Sequence, residues 1–429
     1  MKKKIVSVLI TGAMLISMLA GCATSGGSSA AAPASTAAGE AAGNTIKIGV
    51  SGPTTGDSAA AGVRVNIGID MAIAEINAEG GIEIDGEKRL VEAVYYDTGS
   101  DAQTGLSNGE KLITGDKVDF LWCEAFNSAV GVATMELAKK YDIPMATLEP
   151  VSSAISEKVL ADPDSYKYFF KFGWDSAEYG NTCANTVLKL VEEGKMSLPN
   201  KTIALAGDET DYARSNLEAV AAMMKDAGYT VVTEDYWDFG STDLYAAIND
   251  IKGSGADIIF SCSTTPATGV AMIKQMRENG MEDTYHMAIY YPGQPEFEDQ
   301  IGSQADGLIW APMLIDMEDE TIKAFADKLE AFKSGELVTF DHIDGYSDMM
   351  VVLQAMKKAG SLSGEAIATA LLDEAGYDVP KGHIVFDKSN HTILSGEGYV
   401  AVNAAQIQDG KSSVIYPASV AKTEYIPIK

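Results

Sequence analysis

The sequence predicts an α/β protein of two similar lobes, each a mostly parallel sheet with helices on both faces. Three observations carry this. Residues 45–97 read as one complete βαβ unit. The strands that follow are continuous apolar runs rather than strict alternations, the pattern of strands covered on both sides. The strand–helix rhythm then breaks near residues 168–175 and restarts on the same plan, and the stretch from residue 45 to the end is long enough for two domains of ordinary size.

The opening unit begins with Ile46-Lys47-Ile48-Gly49-Val50 and is broken by Ser51-Gly52-Pro53-Thr54-Thr55-Gly56-Asp57, whose glycines, proline and aspartate end a strand. A helix is predicted over 60–78, with Val63, Ile67, Met71 and Ala74 on one stripe and Ile69, Ile73 and Ile76 on another, so more than one side is covered. Gly80-Gly81 end it, and a strand over 89–96 leads to Asp97. Ligands of open parallel sheets sit outside the carboxyl ends of the strands, so the loop 51–62 points at a site. Helix 101–114, strand 118–122, helix 128–140 and strand 143–147 continue the first lobe. The second comprises helix 176–193, strand 202–206, helix 211–227, strand 229–234, helix 242–252, strand 257–260, helix 267–279 and strand 285–290. Beyond it come a strand at 307–310, helices near 319–333, 344–359 and 363–374, and short strands around 382–387 and 397–403.

At the amino end, three lysines (Lys2, Lys3, Lys4), an apolar run over 5–20 and the small residues before Cys22 make an export signal over 1–21. Residues 23–44 are Ala, Ser, Gly and Thr with one proline and one charge, Glu40; such a segment cannot bury a core and reads as a disordered tether spanning roughly 25 Å. Leu19-Ala20-Gly21-Cys22 resembles a bacterial lipobox, which implies cleavage before Cys22 and a membrane anchor of lipid on it. A plain anchor helix is the alternative, and the polar tail that follows at once argues against it. The formal net charge of −29 opposes a nucleic-acid partner, since phosphates must be met with basic charge. Cys123, Cys183 and Cys262 have no near partners and are expected as free, buried thiols.

Catalytic readings fail one by one. Ser419-Val420-Ala421-Lys422 has the spacing of a serine–lysine pair but none of its companion motifs. Gly410-Lys411-Ser412 would need glycine at 405, where Ala405 stands. His286, His342, His383 and His391 are scattered, and no Gly-x-Ser-x-Gly elbow occurs, so neither an enzyme nor a metal site is expected.

The strand Ile46–Val50, Gly52-Pro53-Thr54-Thr55-Gly56, the run Met71-Ala-Ile-Ala-Glu-Ile-Asn-Ala-Glu-Gly-Gly81 and Tyr95-Tyr96-Asp97 closely resemble the start of the leucine/isoleucine/valine-binding-protein branch of type I periplasmic solute-binding proteins, and the resemblance runs to about residue 400. It implies two Rossmann-like lobes on a three-segment hinge, the Venus-flytrap plan. The chain would cross near 170, 293 and 389, giving lobe one as 45–170 plus 294–388 and lobe two as 171–293 plus 389–429. It further implies a monomer without cofactor that closes on a small molecule and delivers it to an ABC permease and its ATPase. A sensor of the same fold feeding a signalling partner is the alternative, and neighbouring genes would separate the two.

The resemblance also nominates ligand contacts. Ser128 stands where a hydroxyl and backbone N–H groups hold a ligand carboxylate, a role compatible with capping the helix that starts there. Phe126 shares the loop of Ser128; Thr55, Thr147 and Glu149 lie in the other cleft loops of lobe one, and Asp208, Tyr212 and Thr264 in those of lobe two. Tyr290 and Tyr291 mark the loop that in branched-chain relatives supplies an acid to the ligand ammonium; here no acid stands in that slot, and Glu296 is the nearest. With Trp174, and with Trp122 and Phe172 unless these are core, the cleft is expected to be aromatic. The expected ligands are amino-acid-like or aromatic carboxylates, those lacking an α-amino group binding at least as well as their amino counterparts.

If lipid on Cys22 is the anchor, Cys22→Ser blocks processing and releases the protein from the membrane fraction. Unchanged processing and retention would show that something else holds it.

Overall fold

The computed structural model describes residues 45–311, 314–396, 398–400 and 402–428. The leader, Cys22 and the tether lie outside the described residues. The first sheet is parallel throughout, in the order Val91–Asp97, Ile46–Gly52, Phe120–Glu124, Met145–Thr147, Phe169–Lys171. The second runs Lys411–Tyr416, Ala404–Gln408, Ile309–Ala311, Tyr285–Ile289, Ile258–Cys262, Thr202–Asp208, Thr230–Trp237, with the last five parallel and the first two joined antiparallel. Their inner strands are buried along their length, as apolar runs require.

Two differences from the sequence reading have physical causes. The expected return to lobe one at 294 comes later, because Ile309–Ala311 pairs parallel with Tyr285–Ile289 in the second sheet. The strand expected at 397–403 is replaced by the hairpin Ala404–Gln408 and Lys411–Tyr416, turned at Asp409-Gly410 with φ of +51° and +76°. A second small hairpin, Ile82–Ile84 with Glu87–Arg89, turns at Asp85-Gly86 with φ of +53° and +82°. Aspartate–glycine is a favoured pair for such tight turns, where both residues need positive φ.

The segments joining the lobes lie side by side. Lys171 N–H donates to His391 O (2.9 Å) and Ile393 N–H to Lys171 O (3.1 Å). Lys171 Nζ is buried, donates to the carbonyls of Val151 (2.8 Å) and Ser152 (3.0 Å) and pairs with Asp175; burial pulls its pKa down to about 8. Cys123, Cys183 and Cys262 are free and buried.

Lobe one is closed by the helix Phe340–Ala359, almost wholly buried against the helix Ala59–Ala78. The two approach at glycines: a Cβ on Gly345 would stand 2.1 Å from Val65 O, and one on Gly68 2.3 Å from His342 O. Both obstacles are backbone, so a side chain can be admitted only by moving a helix. Gly345→Ala should cost about 1–3 kcal/mol or more of stability, read as a lowered melting temperature; an unchanged one would mean that the helices separate freely.

Candidate functional site

One cavity of about 220 Å3 lies between the lobes. Its first wall comes from loops after lobe-one strands. Glu124, buried at the end of Phe120–Glu124, accepts from Phe126 N–H (3.0 Å) and Asn127 N–H (2.9 Å) and so sets the loop that presents Phe126 and Ser128. Its other oxygen has no partner, and burial raises its pKa to about 8. Asn127, not Ser128, is the N-cap residue of the helix Ser128–Thr134. Ser128 Oγ instead accepts from Val151 N–H (3.0 Å) and Ser152 N–H (3.2 Å), tying the next cleft loop to this one. An oxygen that accepts twice keeps its own proton to donate.

Lobe two supplies the facing wall. Asp208 is buried behind it and takes Thr264 N–H (2.7 Å) and Thr210 Oγ (3.0 Å), and Thr210 caps the helix Asp211–Asp226 that carries Tyr212. Tyr290 ends its strand at φ +66°, ψ −54°, a backbone well that costs a non-glycine residue about 1–3 kcal/mol. That turn aims its hydroxyl across the cleft at Asp341 Oδ1 (3.0 Å). Arg64 of lobe one pairs with Glu296 and lies 3.6 Å from Asp341, and Gln294 bonds both Arg64 (3.1 Å) and Asp341 (3.3 Å). These contacts hold the lobes together beside the cavity.

The floor is acidic. Glu149, Asp344 and Lys381 line it, with Asp341 and Asp348 buried close by on the helix Phe340–Ala359. Lys381 Nζ lies 3.0 Å from Asp348 Oδ2 and 3.3 Å from Asp344 Oδ1, and donates to Phe172 O (3.1 Å). Burial, offset in part by Lys381, pushes Asp348 up to about 7. Burial and the neighbouring Asp341 and Asp344 carboxylates hold the Glu149 carboxyl well above the usual range.

Of the residues nominated by sequence, Phe126, Ser128, Glu149, Trp174, Tyr212, Thr264 and Tyr290 line this cavity. Four do not. Thr55 Oγ donates to Asp97 (2.6 Å) and shapes its own loop; Thr147 is fully buried in its strand; Asp208 holds Thr264 from behind; Tyr291 packs on Phe297 and bonds Ser261 in the core of lobe two. Trp122 and Phe172 are core, stacked edge to face at 4.9 Å. Sequence reading missed Tyr179, Phe340, Asp344 and Lys381. A signal was present: Asp341, Asp344 and Asp348 recur at helical spacing in a segment otherwise apolar enough to be buried.

The fold and its interlobe cavity define a two-lobed binding protein. The comparisons identify the family: the chain belongs to the periplasmic binding protein family, whose model matches residues 45–411. A leucine-, isoleucine-, valine-, threonine- and alanine-binding protein of Pseudomonas aeruginosa is 26% identical over 346 residues, covering 80% of this chain and 86% of its own. A crystal structure of a putative branched-chain amino acid ABC transporter protein from Silicibacter pomeroyi superposes with a TM-score of 0.77 at 23% identity, over 90% of this chain and 99% of the other. A solute-binding protein of an R. palustris ABC transporter, solved with 4-hydroxybenzoate, does so with 0.68 at 22% identity, over 86% and 95%. The family and these neighbours are binding proteins rather than enzymes.

Because the Glu124 carboxyl titrates higher folded than unfolded, its stabilising contribution is complete below about pH 4.5 and is lost as pH rises through about 8. Glu124→Gln, which stays uncharged, should remove that loss: the variant gains on the wild type by up to ~1.4 kcal/mol per pH unit between those limits. Chemical denaturation at several pH values measures it; parallel profiles would show that Glu124 stays ionised.

Proposed function

We propose that the protein is a lipid-anchored extracytoplasmic receptor that captures a small organic solute, amino-acid-like or an aromatic carboxylate, between its lobes and hands it to an ABC permease. The observation that carries the reading is the cavity walled by both lobes at strand carboxyl ends, where polar atoms converge without partners, Glu149 Oε1 and Trp174 Nε1 among them. Such a site is what a ligand pocket requires: mostly apolar walls and a few placed polar groups. No helix among the described residues is long and apolar enough to cross a membrane; the anchor is proposed on the lipobox-like Leu19-Ala20-Gly21-Cys22. The names of relatives bracket the ligand class, from aliphatic amino acids to a hydroxybenzoate.

Ligand touches both walls only when the lobes are shut, so its binding energy shifts the hinge equilibrium, and the permease reads the shut form. Ser128, with its hydroxyl proton free, would take a ligand carboxylate; Phe126, Trp174, Tyr212, Thr264 and Tyr290 would enclose the body. Thr55, Thr147, Asp208 and Tyr291 support those loops from outside the cavity.

A thermal-shift screen of amino acids, amides and aromatic acids tests this, since a ligand at 100 times its Kd stabilises by about 2.7 kcal/mol. Trp174, one of four tryptophans and 2% exposed, should report binding through its fluorescence, and Trp174→Phe should abolish the change. A stabilising compound that leaves Trp174 emission untouched would bind elsewhere.

A further inference from the structure

The charges under the cavity do not balance. Four carboxyls, Glu149, Asp341, Asp344 and Asp348, gather around two cations, Lys381 and Arg64. Lys381 is committed to Asp348, Asp344 and a carbonyl, and Arg64 is shared by Asp341 and Glu296. Glu149 is left over: its Oε1 is buried, borders the cavity and accepts no hydrogen bond. Asp344 beside it is 2% exposed, and its Oδ1 lies 3.3 Å from Lys381 Nζ without a hydrogen bond. Independently of the acids, the Trp174 indole N–H is buried on the same wall with no acceptor, so the cavity also awaits a group with a lone pair.

We propose that the cavity takes an organic cation, an amine whose ammonium nitrogen sits against Glu149 and Asp344 while an acceptor elsewhere on it meets Trp174. This rests on the solute-binding reading and narrows it. The lobe-two slot where the resemblance expects an ammonium partner holds two tyrosines instead, and the acid is supplied by lobe one. The remaining walls suit a cation: Tyr179, Tyr212, Tyr290 and Phe340 present aromatic rings around the acidic floor, and the negative face of an aromatic ring attracts a desolvated cation. A ligand with a carboxylate and no cation would bring one more buried acid to a site whose acids already outnumber its cations, so its charge would find no partner there.

Protonation answers the same imbalance in the empty protein. Burial first, then Asp341, Asp344 and Asp348 of one helix, only partly offset by Lys381, make Glu149, which also faces the Tyr179 and Tyr290 hydroxyls, retain a proton to higher pH than an ordinary glutamate. An arriving ammonium displaces that proton, so binding releases it to buffer and affinity climbs with pH until Glu149 is ionised in the empty protein as well.

The test uses matched series: leucine, isopentylamine and 4-methylpentanoate; phenylalanine, phenethylamine and 3-phenylpropionate. Purified protein is titrated with each in a calorimeter, in two buffers of different ionisation heat, with melting temperatures in parallel. Amine-bearing members should bind at least tenfold tighter than the acid of their series, with net proton release. Glu149→Gln should lose about tenfold or more toward amines while its melting temperature holds or rises, since an unpaired buried acid is removed; Glu149→Asp should restore part of the affinity. Equal or tighter binding of the plain acids, proton uptake, or full amine affinity in Glu149→Gln would overturn the cation site and leave solute capture standing. No binding by any member of either series would count against solute capture itself, and the cation site with it.

Discussion

Lys381 is the contact on which the rest depends. Its ammonium is buried, ion-paired to Asp344 and Asp348 and bonded to the Phe172 carbonyl. It therefore joins three parts of the chain: the helix that closes lobe one, the segment leaving the first sheet, and the turn between Tyr377–Val379 and Gly382–Ile384. Removing one partner of such a pair typically costs 3–5 kcal/mol, because the other is left charged and dry. Without it the two aspartates would be buried acids with no cation beside them, and it is already committed to them rather than to Glu149. One interaction thus builds the floor of the cleft and fixes the sign of its unmet charge.

The contacts that shut the cleft are of another kind. Arg64 with Glu296, Gln294 with Asp341 and Tyr290 with Asp341 are polar pairs that water replaces when the lobes part. Such exchanges are nearly neutral compared with burial of apolar surface, particularly for the half-exposed Glu296. A hinge balanced this way is easily biased, since a ligand needs only a few kcal/mol of preference for the shut form to dominate the population.

Much of the fold was legible because its signals are local. Apolar runs at steady spacing gave both lobes, and loops after strands gave the direction of the cleft. The Asp85-Gly86 and Asp409-Gly410 hairpins were written in the sequence as well and went unread beside the stronger helix and strand periods. The site was half legible for a different reason. Loop residues such as Phe126 and Ser128 are placed by the strands before them, whereas Asp344 and Lys381 reach the cavity through packing between segments far apart in sequence. Thr55 and Tyr291 sit in loops that do border the cleft, but Asp97 captures one side chain and the core of lobe two the other.

Placing the acid on lobe one changes the order in which a ligand would be engaged. Helix Phe340–Ala359 is locked against Ala59–Ala78 at Gly68 and Gly345, so Asp344, with Lys381 paired to it, belongs to a tightly packed half of the molecule. On the proposed reading, an amine meets its charge partners on this rigid half first. Tyr212 and Tyr290 then arrive with lobe two, expelling water and lowering the local dielectric around an ion pair already formed. The Coulomb term therefore grows as the cleft closes, which makes the charge both the first contact and the largest part of the preference for the shut form. An acid on lobe two, in the slot that Tyr290 and Tyr291 occupy, would instead have to be carried to the ligand by the hinge.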